Sequence, residues 1–250
     1  MTSKIVALIT GANGGIGYET ALVFAKASEE YHVLVGSRSL EKGEKAVEEI
    51  KKQKIKGDVS LIQLDVTDDT SITKAVAKVE AEFGKLDVLV NNAGIFPKVE
   101  TTPREYFQKT FETNTIGPAV VTDAFLPLMT KAESARLVYV SSGLGSIALK
   151  EKSPAGTPRD LYLAYCMSKA ALNMLMVADS VDLTERGMKV FAVCPGYVVS
   201  NLTGEKGRQD RIAKGAGSPV VSAETILSCV EGRRDADAGK FVYKDGVYAW

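Results

Sequence analysis

Tyr165 and Lys169 stand four positions apart at the head of a helical pattern, with Ser141-Ser142 upstream of them and Asn114 further back. On a helix, residues four apart share a face, with Cβ atoms roughly 5–6 Å from each other. A phenol and an ammonium at this spacing can enter one pocket. The ammonium favours the phenolate and lowers the tyrosine pKa, which would make a poor acid a usable proton donor near neutral pH. Taken alone, the pair favours a plainer reading, an exposed tyrosine and a solvated lysine on a surface helix. Its weight comes from the rest of the chain.

The first of those supports is a glycine-rich turn, Thr10-Gly11-Ala12-Asn13-Gly14-Gly15-Ile16-Gly17. A continuous apolar run, residues 4–10, precedes it and a helical pattern over 15–28 follows it. Strand, glycine turn and helix are the setting that a dinucleotide site needs. The glycines permit a tight bend and a close approach of backbone to pyrophosphate, and the helix N-terminus offers free N–H groups and a positive dipole end. A second strand, 31–36, ends at Ser37-Arg38, where the residue that reads the cofactor ribose is expected. An NAD site would place an acid there, yet the first acid is Glu41. A guanidinium suits a 2′-phosphate through paired, charge-assisted hydrogen bonds. The reading is therefore NADP(H), with Arg38 as the main determinant; the alternative is a surface arginine beside an NAD site lacking its acid.

The elements that must position these groups alternate along the chain. A charged helix over 39–56 leads to a third strand, 58–66, ending at Asp65-Val66. Asp65 either touches the adenine or helps to start the next helix, 70–84. A fourth strand, 86–90, runs into Asn91-Asn92-Ala93-Gly94. A long helical stretch over 103–131 contains Asn114 and then Gly117-Pro118; a proline there bends a helix, and a bend just after Asn114 can free a carbonyl to hold water. The plainer reading is a solvent-facing asparagine near an ordinary kink. Strand 136–140 ends in Ser141-Ser142, and an insert near 144–161 leads to the helix of Tyr165 and Lys169, 162–186. A sixth strand, 188–193, ends in Cys194-Pro195-Gly196-Tyr197. Residues 201–219 have the glycine-rich, charged composition of a mobile flap. A helix over 222–231 and a short strand, 240–243, close the chain. Strand–helix alternation implies a parallel sheet with right-handed crossovers, whose ligands lie beyond the carboxyl ends of the strands. Asn91, Gly94, Ser142 and Pro195-Gly196 all fall at such ends.

Composition narrows the classes. At 250 residues, 45% apolar and 25% charged, the chain fits one soluble α/β domain over 1–250. Basic and acidic residues balance at 31 each, which gives no electrostatic case for nucleic acid or an anionic membrane. The odd set of Cys166, Cys194 and Cys229 lacks metal or redox spacing and suits a reducing compartment. With His32 as the lone histidine, no His-based metal site or serine–histidine triad is easy to build. No run approaches the length of a membrane span. The expectation is a cytoplasmic protein without a metal.

Together these elements resemble the short-chain dehydrogenase/reductase family over essentially the whole chain. The matching positions are the glycine turn, Asp65, Asn91-Asn92-Ala93-Gly94, Asn114, Ser142, Tyr165 with Lys169, and Pro195-Gly196, in the family's order. The tail from Gly239 to Trp250 and the proline-containing insert before Tyr165 look like its carbonyl-reductase branch. The resemblance implies a single doubly wound Rossmann-type domain whose mostly parallel sheet has about seven strands flanked by helices. It implies that Tyr165 protonates a carbonyl oxygen, that Ser142 orients that carbonyl, that Lys169 lowers the tyrosine pKa and holds the nicotinamide ribose, and that Asn114 holds a water on the path to solvent. Gly11, Asn13, Gly14, Gly15, Ile16, Gly17, Ser37, Arg38, Asp65, Val66, Asn91, Ala93 and Gly94 would line the cofactor, with Pro195, Gly196, Val198 and Ser200 at the carboxamide. Gly14 stands where carbonyl-reductase relatives often carry a basic residue, leaving more of the NADP selectivity to Arg38. The longer spacing from Ser142 to Tyr165 favours a monomer, with a homo-oligomer as the alternative.

The expected activity is NADPH-dependent reduction of an aldehyde, ketone or quinone. The rivals are an NAD-linked alcohol dehydrogenase and a cofactor-sensing binding protein without turnover. Substrate walls are expected at Ile95, Phe96, Ser142, Leu144, Tyr162 and Tyr197, an aromatic and aliphatic mix suited to an apolar carbonyl compound.

Overall fold

In the computed structural model, residues 4–96, 102–157 and 162–250 are described. One sheet carries the molecule, in the order β3-β2-β1-β4-β5-β6-β7-β8. Its strands are β1 (Ile5–Ile9), β2 (Tyr31–Ser37), β3 (Asp58–Gln63), β4 (Val88–Asn91), β5 (Arg136–Val140), β6 (Lys189–Val193), β7 (Phe241–Tyr243) and β8 (Gly246–Tyr248). All neighbours pair in parallel except β7 and β8.

The apolar runs are continuous because helices cover both faces of the sheet. Along β1, Val6 and Leu8 enter one core while Ala7 and Ile9 enter the other. The first core is closed by α3 (Asp69–Phe83), α5 (Gly117–Met129) and α7 (Leu163–Leu183), through residues such as Ile72, Phe125 and Met176. The second is closed by α1 (Gly15–Ala27), α2 (Leu40–Lys51) and α9 (Pro219–Val230), through Phe24, Ile50 and Ile226. Fully burying one such side chain contributes about 1.5–3 kcal/mol. Chain direction through the sheet reverses between β1 and β4, and a crevice opens at such a switch point.

The long helical stretch resolves into three parts. Its start, α4 (Pro103–Phe111), has a capping box between Thr102 and Glu105. A π turn over Glu112–Ile116 follows and passes directly into α5. Pro118 has no N–H for the carbonyl of Asn114 four residues earlier, so the regular ladder breaks here. The expected bend is thus a widened turn, of the kind common at functional sites.

Two further expectations are refined. The sheet has eight strands rather than about seven, because the tail folds back as β8. Trp250 stacks on Phe241 with centroids 5.7 Å apart, and Tyr243 stacks on Tyr248 at 4.2 Å. The tail also straps the insert: Ser146 Oγ donates to the Ala249 carbonyl at 2.7 Å and Ala148 N–H to that of Trp250 at 2.7 Å. The insert itself holds a 3₁₀ turn and a short helix, α6 (Ile147–Glu151), in its first part; residues 158–161 lie outside the described residues. Within the expected flap, residues 204–213 form a helix, α8 (Gly204–Ala213). Among the described residues no helix is long and apolar enough to cross a membrane.

Candidate active site

A cleft of about 1090 Å³ runs along the carboxyl edge of the sheet. At one end is the glycine turn. Gly11 and Gly15 have φ of 63° and 58°, the left-handed region that favours glycine. Gly17 serves packing instead: a Cβ there would stand 2.4 Å from Asn92 Nδ2 and 2.8 Å from the Gly11 carbonyl. It does not line the cleft, whereas Gly11, Asn13, Gly14, Gly15 and Ile16 do. The N-cap of α1, Gly14, makes no side-chain cap. The first-turn N–H groups of α1 therefore stay available to an anion in the cleft.

Arg38 lines the same end, together with Lys42 from the first turn of α2, a residue not singled out in the sequence. Ser37 does not reach the cleft. It is buried, and its Oγ donates to the Ser39 carbonyl at 2.8 Å. Asp65 and Val66 line the wall. The Asp65 carboxylate accepts from Thr67 N–H at 3.0 Å and Thr67 Oγ1 at 2.8 Å, while Asp68 caps α3. Two cations and a free helix end suit the phosphates of a dinucleotide, and the residues present fit a nicotinamide cofactor.

The other end gathers the groups with chemistry. Ser142, Tyr165 and Lys169 all line it. Ser142 accepts from Leu144 N–H at 3.2 Å and hydrogen-bonds Tyr165. Lys169 is buried, its Nζ donating to the Val140 carbonyl at 2.8 Å and standing 5.9 Å from the centroid of the Tyr165 ring. Burial pushes the lysine amine down to about 8. Burial also pushes the Tyr165 phenol up to about 12, against the opposing pull of the Ser142 hydrogen bond and of Arg211. Burial thus works against the lowering expected from Lys169. Desolvation of the phenol outweighs its neighbours, and the ammonium spends a hydrogen bond on Val140 rather than on the phenol.

Asn114 does not line the cleft but stands behind it, fully buried. Its Oδ1 accepts from Ile95 N–H at 2.8 Å, and its Nδ2 donates to the Ile95 carbonyl at 3.0 Å and to Ser168 Oγ at 3.1 Å. The asparagine therefore ties the loop after β4 to the helix that carries Tyr165. Gly94 lies beside that junction: a Cβ there would be in ordinary contact with Asn114 Oδ1 at 3.4 Å and Lys169 Nζ at 3.7 Å.

Of the Asn91–Gly94 segment, Ala93 and Gly94 line the cleft and Asn91 does not. Asn91 is buried on the opposite face, donating to Thr122 Oγ1 at 2.9 Å. Asn92 lines the cleft instead, and its Nδ2 donates to the Thr10 carbonyl at 2.8 Å. Pro195, Gly196, Val198 and Ser200 line the cleft from β6 onward, as do the expected walls Ile95, Phe96, Leu144, Tyr162 and Tyr197. Phe96 sits with its ring centroid 4.9 Å from those of both Tyr162 and Tyr165.

Several lining residues escaped the sequence reading. Cys194 directly precedes the Pro195-Gly196 motif, and its Sγ accepts from Gly143 N–H at 3.1 Å. Tyr248 comes from the added strand β8, Asp210 and Arg211 come from α8, and Lys214 is its C-cap. The spacing 207, 210, 211, 214 along α8 is one face of a helix, a signal that was present in the sequence. Among the described residues no group of His, Cys, Asp and Glu is placed to hold a metal ion.

Comparison with known proteins gives one answer. The family model for short chain dehydrogenase matches residues 5–211. The chain is 34% identical over 264 residues to short-chain dehydrogenase/reductase tropE of Talaromyces stipitatus, covering 98% of this chain and 97% of that protein. It is 36% identical over 273 residues to short-chain dehydrogenase/reductase eupG of Phoma sp, covering 99% and 98%. Among solved structures, the NADPH-bound carbonyl reductase from chicken fatty liver matches with a TM-score of 0.77 at 28% identity, covering 100% of both chains. A 7α-hydroxysteroid dehydrogenase complexed with NADH shares the fold, with a TM-score of 0.79 at 24% identity over 97% of this chain and 94% of that one.

Proposed function

The chain belongs to the short-chain dehydrogenase/reductase family and is an oxidoreductase; from that premise we propose that it reduces an aldehyde, ketone or quinone with NADPH. The observation that carries this reading is the polarity of one cleft. Arg38, Lys42 and the uncapped start of α1 stand at one end, and Ser142, Tyr165 and Lys169 at the other. The first set suits a 2′-phosphate and a pyrophosphate.

When bound, the reduced nicotinamide supplies a hydride to the carbonyl carbon. The protein's part is to place and protonate the carbonyl oxygen. Ser142 offers its hydroxyl to that oxygen. Tyr165, held near a pKa of about 12, is protonated at neutral pH and keeps its proton until the oxygen has gained alkoxide character. The Lys169 ammonium then stabilises the phenolate left behind, in a site where burial strengthens the attraction. Asn114 holds the Ile95 loop and the Tyr165 helix in register.

The test is a paired titration of NADPH and NADH, followed by turnover on aldehydes, ketones and quinones by the protein and by Tyr165→Phe. The expected result is preferred NADPH binding, with turnover lowered about a hundredfold or more in the variant and cofactor affinity kept. Full turnover by Tyr165→Phe would refute the mechanism, and preferred NADH binding would refute the cofactor assignment.

A further inference from the structure

The cleft has a charged flank that the proposed chemistry does not use. Gly207, Asp210 and Arg211 of α8 and its C-cap Lys214 all line it. Their spacing of three, four and seven defines one helical face, and that face carries two cations and one anion. Arg208, one position on, pairs with Glu205 at 3.9 Å. Arg211 is half-buried and has no carboxylate partner among the described residues. Its guanidinium donates to the Val198 carbonyl at 3.2 Å and lies 5.2 Å from the centroid of the Tyr197 ring. The planar group is thus held in place with donors to spare, which favours bidentate recognition of a carboxylate.

The walls below are flat. Tyr197 and Tyr162 are 53% and 44% exposed, an unusual display unless something covers them. Phe96 extends the same aromatic surface to the Tyr165 ring. Arg211 differs from Arg38 and Lys42 in being held against Tyr197, on the aromatic part of the cleft.

We propose that Arg211 is a specificity-determining residue and that the pocket takes a planar aromatic carbonyl compound bearing a carboxylate, which Arg211 binds while Phe96, Tyr162 and Tyr197 stack on the ring. The inference rests on the carbonyl-reductase reading and names the substrate class of the same site. Lys214 adds positive charge one turn further along.

The experiment compares matched pairs with NADPH: 2-, 3- and 4-formylbenzoate against the corresponding formylbenzamides, which differ in charge and little in shape. For at least one position, kcat/KM for the carboxylate should exceed that for the amide tenfold or more. In Arg211→Gln the carboxylate should lose tenfold or more and the amide threefold or less, with Arg211→Lys recovering part of the preference. Lys206→Gln removes a positive charge from the same helix at a position outside the cleft, and should leave the ratio where it was. Turnover of the amides with no preference for charge at any position overturns the inference while leaving the reductase reading intact. Turnover of neither series overturns the reductase reading for aromatic aldehydes, and the inference with it. A loss in Arg211→Gln that falls equally on both series, or that appears only in NADPH affinity, also overturns it.

Discussion

Replacing Lys169 with methionine should stabilise the cofactor-free protein at neutral pH while abolishing the proposed activity, and the stability gain should reverse in alkali. Burial moves the Lys169 amine from its ordinary 10.5 down to about 8. At about 1.4 kcal/mol per unit, holding this ammonium charged in the folded state costs about 3 kcal/mol below pH 8. Methionine removes that cost and fills much of the same volume, but it leaves the Val140 carbonyl without the Nζ donor, a loss of about 1–3 kcal/mol. The variant should therefore match or exceed the parent by up to about 2 kcal/mol at pH 7. The sign with pH follows from the depressed folded pKa. Between about 8 and 10.5 the unfolded chain still binds the proton that the folded chain has shed, so the parent gains stability as pH rises. The methionine variant lacks that gain. By pH 10 the parent, with a neutral amine still donating to Val140, should be the more stable by about 1–3 kcal/mol. Urea unfolding of both proteins at pH 7, 8.5 and 10, without cofactor, measures the difference at each pH. A stability difference that stays constant across this range would refute the burial of a charged amine at Lys169.

Two further substitutions probe the ends of the site. Arg38→Asp should lower NADPH affinity at least tenfold and raise NADH affinity, because a carboxylate repels the 2′-phosphate and accepts from the 2′-hydroxyl; fluorescence titration with both cofactors reads the exchange, and unchanged preference would move the determinant to Lys42. Gly145→Ala should destabilise the fold by about 1–3 kcal/mol, since a Cβ there would stand 2.7 Å from the Lys169 carbonyl carbon and Cβ. The same overlap presses on α7, so turnover should fall further than stability explains, and a variant with parental unfolding and parental kcat would show that the loop simply yields.

Much of this architecture is written in patterns that short-range physics can read. The buried runs of β1, β2 and β5 announce a sheet covered on both faces, and Gly-rich turn plus helix announces where a phosphate can sit. What was hidden depends on competition between distant groups. A tyrosine near a lysine suggests a lowered phenol pKa, yet the sign at Tyr165 is decided by how much protein surrounds the ring, which no local spacing encodes. The helix α8 was masked by its own composition: glycines at 204, 207, 215 and 217 suggest a loop, although Gly204 and Gly215 only bracket the helix. The strap made by β8 and Trp250 needed the long-range pairing with Phe241 to become visible.

Two of the misplaced site residues, Ser37 and Asn91, share one cause, and it is legible after all. At three strand ends two polar residues stand in succession: Ser37-Arg38, Asn91-Asn92 and Ser141-Ser142. Side chains alternate along a strand, so the two members of each pair point to different faces. Ser37 shares parity with Val33 and Val35, whose side chains enter the core beneath α1 and α2. Asn91 shares parity with Leu89, and Ser141 with Leu137 and Tyr139, which enter the core beneath α5 and α7. Each of these residues continues its strand's buried face and spends its polar group there: Ser37 on the Ser39 carbonyl, Asn91 on Thr122, and Ser141 on the Asn173 side chain at 2.5 Å. The next residue in each pair lines the cleft; of the buried members, Ser141 also reaches its wall, while Ser37 and Asn91 do not. Extending the apolar alternation of a strand by one residue thus marks the side chain whose polar group is spent on the sheet. By this rule Arg38, Asn92 and Ser142 are the residues to test for ligand contact, and Ser37, Asn91 and Ser141 those whose loss should register in stability first.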